Sequence, residues 1–398
     1  MRFPEFSGEW LNSKLGSIAE FSKGTGISKD QRSETGNPCI LYGELYTRYK
    51  SEVIKNIISK TDLPDTDLVK SKSNDIIIPA SGETAEDIAT ARCVPFDNIL
   101  LGGDLNIIRL MNQDGRFFSY QLNGVRKYDV ATVAQGVSVV HLHAGDLKGI
   151  TVKYPADIAE QRKISEMISI IDDRIETQSK IIEELKTLRS VLVDTYIKDA
   201  NSKKSNQTII SLGNYGSFVR GLTYSSADVT DDTSKTGVVR SNNLEYGSPV
   251  DTTSSLVYVN KNPVLEQRLV KGDIVICMAN GSSSLVGKAS YYQGGYDNMT
   301  VGAFCGIYRG SHPLAKWIFM SSAYCKAVAN AIQGGNGAIA NLHGEDILSM
   351  NFVVPSDQNR TTALYQLLYL YDSKIQIAEE ELVGFIEQKQ FFLRKMFI

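Results

Sequence analysis

The chain has 398 residues, of which 42% are hydrophobic and 22% charged, and its formal net charge is −3. This length is enough for two or more domains with their own cores, and the composition is that of an ordinary soluble protein. The sequence contains no apolar run long enough for a membrane span, and its start, MRFPEFSGEW, lacks the apolar run of a signal peptide. Because the net charge is slightly negative, any affinity for nucleic acid must come from local basic patches or from a partner.

The five cysteines, Cys39, Cys93, Cys277, Cys305 and Cys325, are odd in number and form no C-x-x-C pair. This pattern predicts reduced thiols and a cytoplasmic protein. His141 and His143 have no cysteine nearby in sequence, so the cysteines and histidines do not form a zinc pattern. The sequence therefore predicts no metal site.

The second half of the chain repeats parts of the first, at an offset of 197 to 200 residues. The matching pairs, in chain order, are LGSIAEFSKG (15–24) with LGNYGSFVRG (212–221), NDIIIPASG (74–82) with GDIVICMANG (272–281), and LHAGDLKGITVKYP (142–155) with LHGEDILSMNFVVP (342–355). Several matches in the same order predict a duplicated architecture. Within each half, short apolar runs separated by Gly, Asn and Ser predict strands and turns.

A long helical pattern follows the repeated segment in each half. Its apolar residues recur alternately at steps of four and three, which is the seam of a coiled coil. The apolar seam residues are Ile164, Ile168, Ile171, Ile175, Ile182, Leu185 and Leu192 in the first half, and Leu364, Leu368, Tyr371, Ile375, Leu382, Phe385 and Phe392 in the second. In both halves the large apolar seam residue is replaced at matching positions, by Gln178 and Ala378 and by Arg189 and Lys389.

Helices of about 40 residues exceed the usual length of a core helix, so we expect the two to pair with each other. The predicted fold class is α+β, with two pseudo-two-fold-related mixed α/β domains separated by a long antiparallel two-helix coiled coil. The predicted boundaries are 1–155 and 201–355 for the domains, and 156–200 and 356–398 for the helices. Two core helices in separate domains remain the alternative.

The sequence lacks the motifs of common catalytic sites, and no catalytic residue is predicted. The segment GSSSLVGK (281–288) has five residues between its glycines and is followed by Ala289, so it does not match a phosphate-binding loop. No Asn-Pro-Pro-aromatic or Asp-Pro-Pro-aromatic tetrapeptide occurs, so the usual active-site loop of an amino-methyltransferase is missing. We interpret the repeated His143 and His343 as structural caps or domain–helix contacts.

The repeated segments and paired helical patterns together resemble the specificity (S) subunit of type I restriction–modification systems, over nearly the whole chain. Pro155, Glu160, Gln161 and Ile164 form a Pro-x-x-x-x-Glu-Gln-x-x-Ile pattern close to that of the family. The second half departs from it, because PSDQNRTT has Gln-Asn at 358–359 instead of Glu-Gln.

The resemblance implies a non-catalytic subunit that recognises double-stranded DNA. Residues 1–155 and 201–355 would be target-recognition domains, each reading one half of a bipartite, asymmetric site, and the coiled coil would set the spacer between the halves. Two methyltransferase (M) subunits would dock on the chain, with a restriction (R) subunit as an optional further partner. S-adenosylmethionine and ATP with magnesium would belong to those partners, so this chain is expected to bind no cofactor and no membrane.

Candidate DNA contacts are polar and basic residues on the loops of each half, since these residue types read base edges and phosphates. The first-half candidates are Lys23, Thr25, Lys29, Tyr42, Arg48, Lys50, Ser81, Thr84 and Arg92. The second-half candidates are Arg220, Thr223, Tyr224, Arg240, Asn242, Asn243, Asn280, Ser282, Ser283 and Lys288. The predicted joint between each domain and its helix comprises His143, Asp146 and Pro155, and His343, Asp346 and Pro355.

Two other functions remain open at this point. The first is a self-sufficient DNA methyltransferase or fused type II enzyme, against which the missing catalytic tetrapeptide argues. The second is a coiled-coil adaptor that does not bind DNA, which predicts no sequence-dependent protection of DNA.

Overall fold

The fold is that of a computed structural model, which describes residues 2–136, 139–202, 207–332 and 339–397. The chain forms two compact units: the first unit comprises residues 1–179 and 379–398, and the second unit comprises residues 180–378. Each unit therefore contains part of both long helices, whereas the predicted boundaries treat the helices as separate segments. No helix in the described ranges is long and apolar enough to cross a membrane.

The first unit is a mixed α/β structure built on small sheets, which are antiparallel except for the parallel pair of Asn37–Ile40 with Leu100–Leu101. Its strands are Trp10–Lys14, Ala19–Lys23, Asn37–Ile40, Ser59–Thr61, Asp75–Pro79, Ser81–Gly82, Arg92–Val94, Leu100–Leu101, Leu105–Leu110, Val140–His141 and Thr151–Pro155. Its shorter helices are Leu15–Ser17, Lys29–Gln31, Glu44–Thr47, Ala85–Ile88, Gly115–Asn123, Lys127–Thr132 and Ala144–Lys148. The central sheet has the strand order 19–23, 105–110, 75–79, 92–94, and a second sheet has the order 59–61, 37–40, 100–101.

The second unit repeats this arrangement. Its strands are Gln207–Ser211, Gly216–Arg220, Val229–Thr230, Thr236–Val239, Val257–Val259, Ile274–Cys277, Ala279–Asn280, Ala289–Tyr291, Met299–Val301, Cys305–Gly310, Ala340–Asn341 and Asn351–Pro355. Its shorter helices are Leu212–Tyr215, Ser226–Asp228, Ser241–Asn243, Leu265–Gln267, Ser283–Leu285, Ala315–Ile318, Ser322–Ala331 and Gly344–Ser349. The central sheet has the order 216–220, 305–310, 274–277, 289–291, and the second sheet the order 229–230, 257–259, 236–239, 299–301.

The central sheets of the two units thus share a strand order, as the sequence repeat predicts, whereas the second sheet has an additional strand, Val229–Thr230, in the second unit. The pseudo-two-fold relation between the units stays a prediction. Both central sheets have one buried aspartate paired with arginine through two hydrogen bonds. Arg109 contacts Asp75 at 2.8 and 2.7 Å, and Arg309 contacts Asp273 at 2.7 and 2.7 Å. Bidentate pairing of this kind fixes orientation as well as charge, so it holds each central sheet in the same register.

The glycine that ends LGSIAEFSKG and LGNYGSFVRG is required by a close backbone approach. A Cβ at Gly24 would clash with the carbonyl oxygen of Gly102, and a Cβ at Gly221 would clash with that of Gly302. Because any side chain would push the two backbones apart, the sequence repeat at these positions reflects packing of the shared frame.

The two long helices are Ile158–Ser202, of 45 residues, and Gln358–Lys395, of 38 residues. At about 1.5 Å per residue they are about 68 and 57 Å long. In the first unit the start of the first helix and the end of the second share a core, which includes Ile164, Ile168 and Phe392. In the second unit the end of the first long helix and the start of the second long helix share a core, to which Leu192 and Leu364 contribute. Within each unit, one end of one long helix thus packs together with the opposite end of the other.

The apolar positions of both predicted seams are buried or half-buried in the structure. The polar seam positions have partners that the sequence pattern does not reveal. Arg189 contacts Asp372 at 2.5 Å, and Lys389 contacts Asp172 at 2.6 Å and Glu52 at 2.5 Å. Since a buried charge is strongly destabilising unless it is paired, these carboxylates are what allow basic residues inside the seam.

Burial alone would lower the pKa of Lys389, but the charges of Glu52 and Asp172 outweigh it and raise that pKa. Lys316 beside Asp372 in the second unit shows the opposite balance, because burial lowers its pKa more than the carboxylate raises it. Asp172 and Asp372 stand 200 residues apart, at equivalent positions of the two helices. The same carboxylate position therefore anchors a basic side chain in each unit.

Candidate nucleic-acid interface

Each unit has a short turn directly after the strand that pairs in parallel with a neighbour, and we name residues 41–44 and 240–243 the capped turns. In the first unit, Oε2 of Glu44 accepts a hydrogen bond from the backbone N–H of Leu41 at 3.2 Å. In the second, Oδ1 of Asn243 accepts one from the N–H of Arg240 at 2.9 Å. The two turns thus have the same backbone bond and a different capping group.

A second loop lies beside each capped turn, formed by residues 102–104 in the first unit and 302–304 in the second. The N–H of Gly102 donates to the carbonyl of Ile40 at 3.0 Å, and the N–H of Gly302 donates to that of Val239 at 2.9 Å. These bonds place each capped turn, which carries candidate residues from the sequence, next to this second loop.

In the second unit, the turn and the loop enclose a cleft of about 520 Å³. Its lining comprises Tyr224, Arg240, Ser241, Asn242, Gly302, Ala303, Phe304 and Cys305. Three residues nominated from the sequence, Tyr224, Arg240 and Asn242, therefore come together here. The arrangement offers hydrogen-bond donors and aromatic faces on one concave surface.

Arg240 is held in the cleft without using all of its donors. Its Nη2 donates to the carbonyl of Ser255 at 3.2 Å, whereas its buried Nε has no hydrogen-bond partner among the described residues. An unsatisfied buried donor destabilises by roughly 1–3 kcal/mol, so such groups in native structures call for an explanation. A ligand in the cleft would meet the accessible part of this half-buried side chain rather than the buried Nε.

Sequence reasoning missed Phe304, whose side chain is 64% exposed. Its backbone is fixed, because its carbonyl accepts hydrogen bonds from the N–H groups of Met278 at 2.8 Å and Ala279 at 3.2 Å. In the sequence it follows the apolar run TVGA, so it looks like a core residue. The signal that could have identified it is the polar residue, Asp104, at the matching position of the first half.

Basic residues lie at the edge of this region. Arg220 is exposed, and Thr223, also exposed, accepts a hydrogen bond at its carbonyl from Nζ of Lys261 at 2.7 Å. Lys261 therefore lies beside the segment that carries Tyr224. It was not nominated, because it occurs in a loop, VNKNP, with no counterpart in the repeat.

The remaining second-half candidates lie outside the cleft lining. Asn280 is half-buried and accepts a hydrogen bond from the N–H of Ser282, and the exposed Ser283 and half-buried Lys288 lie on the same segment. Asn243 is buried, and its amide donates to the carbonyl of Ser254 at 2.7 Å. Asn243 is therefore corrected from a DNA contact to a residue that positions the capped turn.

Two arginines lie beside the capped turn of the first unit. The carboxylate of the buried Glu44 lies 3.1 Å from Nη1 of Arg48 and 3.8 Å from Nη1 of Arg32, and both arginine side chains are partly exposed. Arg48 was nominated from the sequence and Arg32 was missed. Two guanidinium groups fixed by one carboxylate form a compact basic surface suited to phosphate or guanine.

The other first-half candidates fall into two groups. Lys23, Thr25, Lys29 and Lys50 are exposed, and Tyr42 is half-buried. Thr84 is exposed, but its hydroxyl caps the helix Ala85–Ile88 by accepting from the N–H of Asp87.

Arg92 and Ser81 are corrected, because both are buried. Arg92 donates to the carbonyls of Leu45 at 3.0 Å and Tyr49 at 2.7 Å, and burial lowers its pKa. Ser81 donates to Asp104 at 3.0 Å. These side chains stabilise the loops that the candidate surface requires, and in this conformation they are not available to DNA.

The predicted joint contains two local helix starts. His143 and His343 are the exposed N-cap residues of the helices Ala144–Lys148 and Gly344–Ser349, and Asp346 accepts a hydrogen bond from the N–H of His343 at 2.8 Å. Asp146 is half-buried in the matching turn. These residues therefore lie at a local helix start, which agrees with the structural cap that the sequence analysis gave as one reading; a contact with the long helix stays a prediction.

The side chain of Gln161 connects the start of the first long helix to the preceding strand and to a neighbouring loop. Gln161 is fully buried, and its Nε2 donates to the carbonyl of the buried Pro155 at 2.8 Å, while its Oε1 accepts from the N–H of Asp114 at 3.0 Å. In the second unit the corresponding carbonyl, that of Pro355, accepts from Oη of Tyr196 at 3.4 Å. The departure of the second half from the Glu-Gln pattern is thus matched by a different contact at this junction.

The described residues contain no group of three or more His, Cys, Asp and Glu side chains that could hold a metal ion. All five cysteines are free, and Cys325 is the exposed one.

One family model matches part of the chain. Residues 7–187 match the model described as the type I restriction modification DNA specificity domain. The chain is 32% identical over 148 residues to the StySPI specificity subunit of Salmonella potsdam, and 32% identical over 147 residues to the EcoKI specificity subunit of Escherichia coli, both of type I restriction enzymes. Each match covers 35% of this chain and 30% of the relative, so the chain matches less than a third of their length.

Other similarities extend over more of the chain. A putative type I specificity subunit of Mycoplasma pneumoniae is 22% identical over 348 residues, which is 80% of this chain and 86% of that protein. The crystal structure of a type I S subunit from M. genitalium superposes with a TM-score of 0.59 at 17% identity, covering 100% of this chain and 98% of that one. A structure from work on complex assembly and conformational transition of the type I system gives a TM-score of 0.51 at 13% identity, covering 98% and 99%. At these identities the structural likeness concerns the fold.

Proposed function

Since the chain carries a type I restriction–modification DNA specificity domain and resembles the specificity subunits of these systems, we propose that it reads a bipartite DNA site, with one half-site for each unit. The observation that carries this proposal is the pair of capped turns. Their backbone bonds agree, and the side chains that they display differ. A common frame with different surface chemistry is what two unlike half-sites require.

We further propose that the long helices set the spacing between the half-sites. Successive major-groove half-sites on one face of DNA lie about 34 Å apart. The first long helix, at about 68 Å, is longer than this distance. A spacing set by helix length would change when residues are inserted into both helices.

The docking of two M subunits on this chain is also a proposal, supported by exposed apolar side chains on the long helices. They include Ile170, Ile181, Leu188 and Val191 on the first helix, and Tyr369, Leu370, Ile377 and Val383 on the second. Exposed apolar surface on a helix favours contact with another protein. In this arrangement S-adenosylmethionine, and ATP with magnesium where an R subunit is present, would be held by the partner subunits, and this chain would carry out no reaction itself.

Methylome sequencing of the host strain with and without this gene tests the proposal. The expected result is loss of N6-methyladenine at a motif with two separated blocks, and its return when the unmodified gene is restored. Unchanged methylation in the deletion strain would contradict a role in DNA recognition. Methyl transfer to DNA by the purified chain alone would instead support a self-sufficient enzyme.

A further inference from the structure

We infer that the cleft of the second unit reads a G·C base pair and a neighbouring A·T pair in the major groove, with Arg240, Asn242 and Phe304 as the specificity-determining residues. This inference rests on the proposed function, because it assigns base contacts within a DNA-reading unit. Arginine pairs with guanine through O6 and N7, asparagine with adenine through N6 and N7, and phenylalanine packs against the thymine methyl group. These three residue types meet on one concave surface.

The first argument is that Arg240 is oriented but not fully hydrogen-bonded. The backbone carbonyl of Ser255 holds one guanidinium nitrogen, and the buried Nε lacks a partner among the described residues. Among the residues that the structure describes, Arg240 forms no ion pair with a carboxylate, in contrast with Arg48 and Arg109. A guanidinium in this state can donate to a base edge without first breaking a salt bridge.

The second argument is that the backbone under Arg240 is fixed in advance. Asn243 accepts from the N–H of Arg240 and donates to Ser254. The carboxylate of Asp251 in turn accepts from the N–H groups of Thr253 at 2.8 Å and Ser254 at 3.1 Å. Since readout depends on accurate placement of the donor atoms, such a supported turn favours discrimination over general affinity.

The third argument is the position of Phe304. A phenylalanine that is 64% exposed on a fixed backbone leaves a large apolar face in water. The exposed Asn242 lines the same cleft. An A·T pair offers both contacts at once, because the adenine edge meets the amide and the thymine methyl group meets the ring.

The fourth argument comes from the first unit, which lacks this set. At the positions equivalent to Arg240, Asn242 and Phe304 it has Leu41, Gly43 and Asp104. Leucine and glycine offer no hydrogen-bonding side chain, and an aspartate at the rim would repel phosphate. The inference therefore assigns this readout to one half-site.

The test is selection from a random-sequence duplex library by the full-length chain, purified with the subunits that accompany it in its host. The unmodified protein should select two sequence blocks separated by unread positions. With Arg240→Gln, the preference for guanine at one position of one block should fall by about 10-fold or more, since one bidentate contact accounts for discrimination of this order. Asn242→Ala and Phe304→Ala should each weaken the preference at an adjacent A·T position, and the other block should remain unchanged.

Matched controls separate base reading from folding and charge. Tyr128→Ala removes an 80% exposed aromatic ring of the first unit, and Arg162→Gln removes an exposed arginine of the first long helix; neither should change the motif. Arg240→Lys keeps the charge and can still donate to guanine O6 and N7, but it lacks the planar fork of the guanidinium, so it should retain only part of the guanine preference. Thermal melting of each variant shows whether the fold is retained.

The outcomes are distinguishable. A motif that Arg240→Gln and Arg240→Lys both leave unchanged would overturn the inference while leaving the proposed function intact. Equal weakening of binding to all sequences, with the motif unchanged, would show that Arg240 contacts phosphate and would also overturn it. If the unmodified protein selects no motif at all, the proposed function itself fails.

Discussion

Glu44 and Asn243 occupy the same position in the capped turns of the two units and form the same hydrogen bond to the backbone. The carboxylate of Glu44 also attracts Arg32 and Arg48, whereas the amide of Asn243 carries no charge, and Arg240 forms no ion pair within the described part of the chain. One capping residue thus determines whether basic groups gather at the turn or project from it. This comparison suggests how a duplicated frame acquires two specificities: the backbone is retained, and the charge of a buried capping group reorganises the surface.

The largest effect should come from the frame that the two units share. Asp75→Ala and Asp273→Ala each remove a buried carboxylate and leave an arginine without its partner. Because Arg109 and Arg309 are partly exposed, we expect a loss of about 2–3 kcal/mol in the free energy of unfolding rather than the full value for a buried pair. Chemical denaturation of the full chain measures this loss, and clearly unequal effects in the two units would contradict an equivalent frame.

A smaller effect should follow from removing the charge at the first capped turn. Glu44→Gln keeps an oxygen that can accept from the N–H of Leu41, but it releases Arg32 and Arg48. We expect a loss of about 1–2 kcal/mol in the free energy of unfolding, since a hydrogen bond to a charged group becomes neutral. Library selection should show a changed preference in one block only, and a change in both blocks would argue against separate readers.

The reciprocal change tests the same idea in the second unit. Asn243→Asp retains the capping oxygen and places a negative charge beside Arg240. We expect the carboxylate to draw the guanidinium away from the cleft, which should lower the guanine preference several-fold. Stability should fall as well, because a carboxylate cannot donate to the carbonyl of Ser254 as the amide does. Asn243→Ala is the control, because it removes the cap and should lower the melting temperature as well.

The smallest effect concerns Asp251, whose pKa is held at about 2, chiefly by the hydroxyl of Ser254. A lowered pKa means that the ionised carboxylate stabilises the folded chain at neutral pH, and that this contribution is lost as the pH falls from about 4 towards 2. Asp251→Asn should therefore lower the melting temperature slightly at pH 7. The melting temperatures of variant and unmodified chain should converge at low pH; a constant difference would show that the carboxylate charge is not responsible.

Several features of the fold could be predicted because they leave regular patterns in the sequence. Ordered repeats at one offset predicted two units with the same plan, and seams stepping by four and three predicted two long helices, which the structure has at Ile158–Ser202 and Gln358–Lys395. The sequence repeat predicted the shared plan because close backbone contacts, such as that of Gly24 with Gly102, permit few residue types.

The site was predicted only in part, since contact depends on burial that a single residue type does not reveal. Tyr224, Arg240 and Asn242 were nominated and line one cleft, but Arg92 carries the same chemistry as Arg240 and is bonded to carbonyls in the core. Arg32 was missed because its partner, Glu44, lies twelve residues away across a strand.

The sequence by itself determined the duplication, the long helices and the residue types available to each loop, because these depend on periodicity and local backbone constraint. Only the tertiary structure decided which side chains reach the surface together. Phe304, in an apolar stretch that reads as core, projects from a fixed loop, whereas Asn243, in a polar stretch that reads as surface, is buried beneath Arg240. The physical reason is that the exposure of a side chain depends on hydrogen bonds between segments far apart in the chain, and these bonds leave no periodic trace in the sequence.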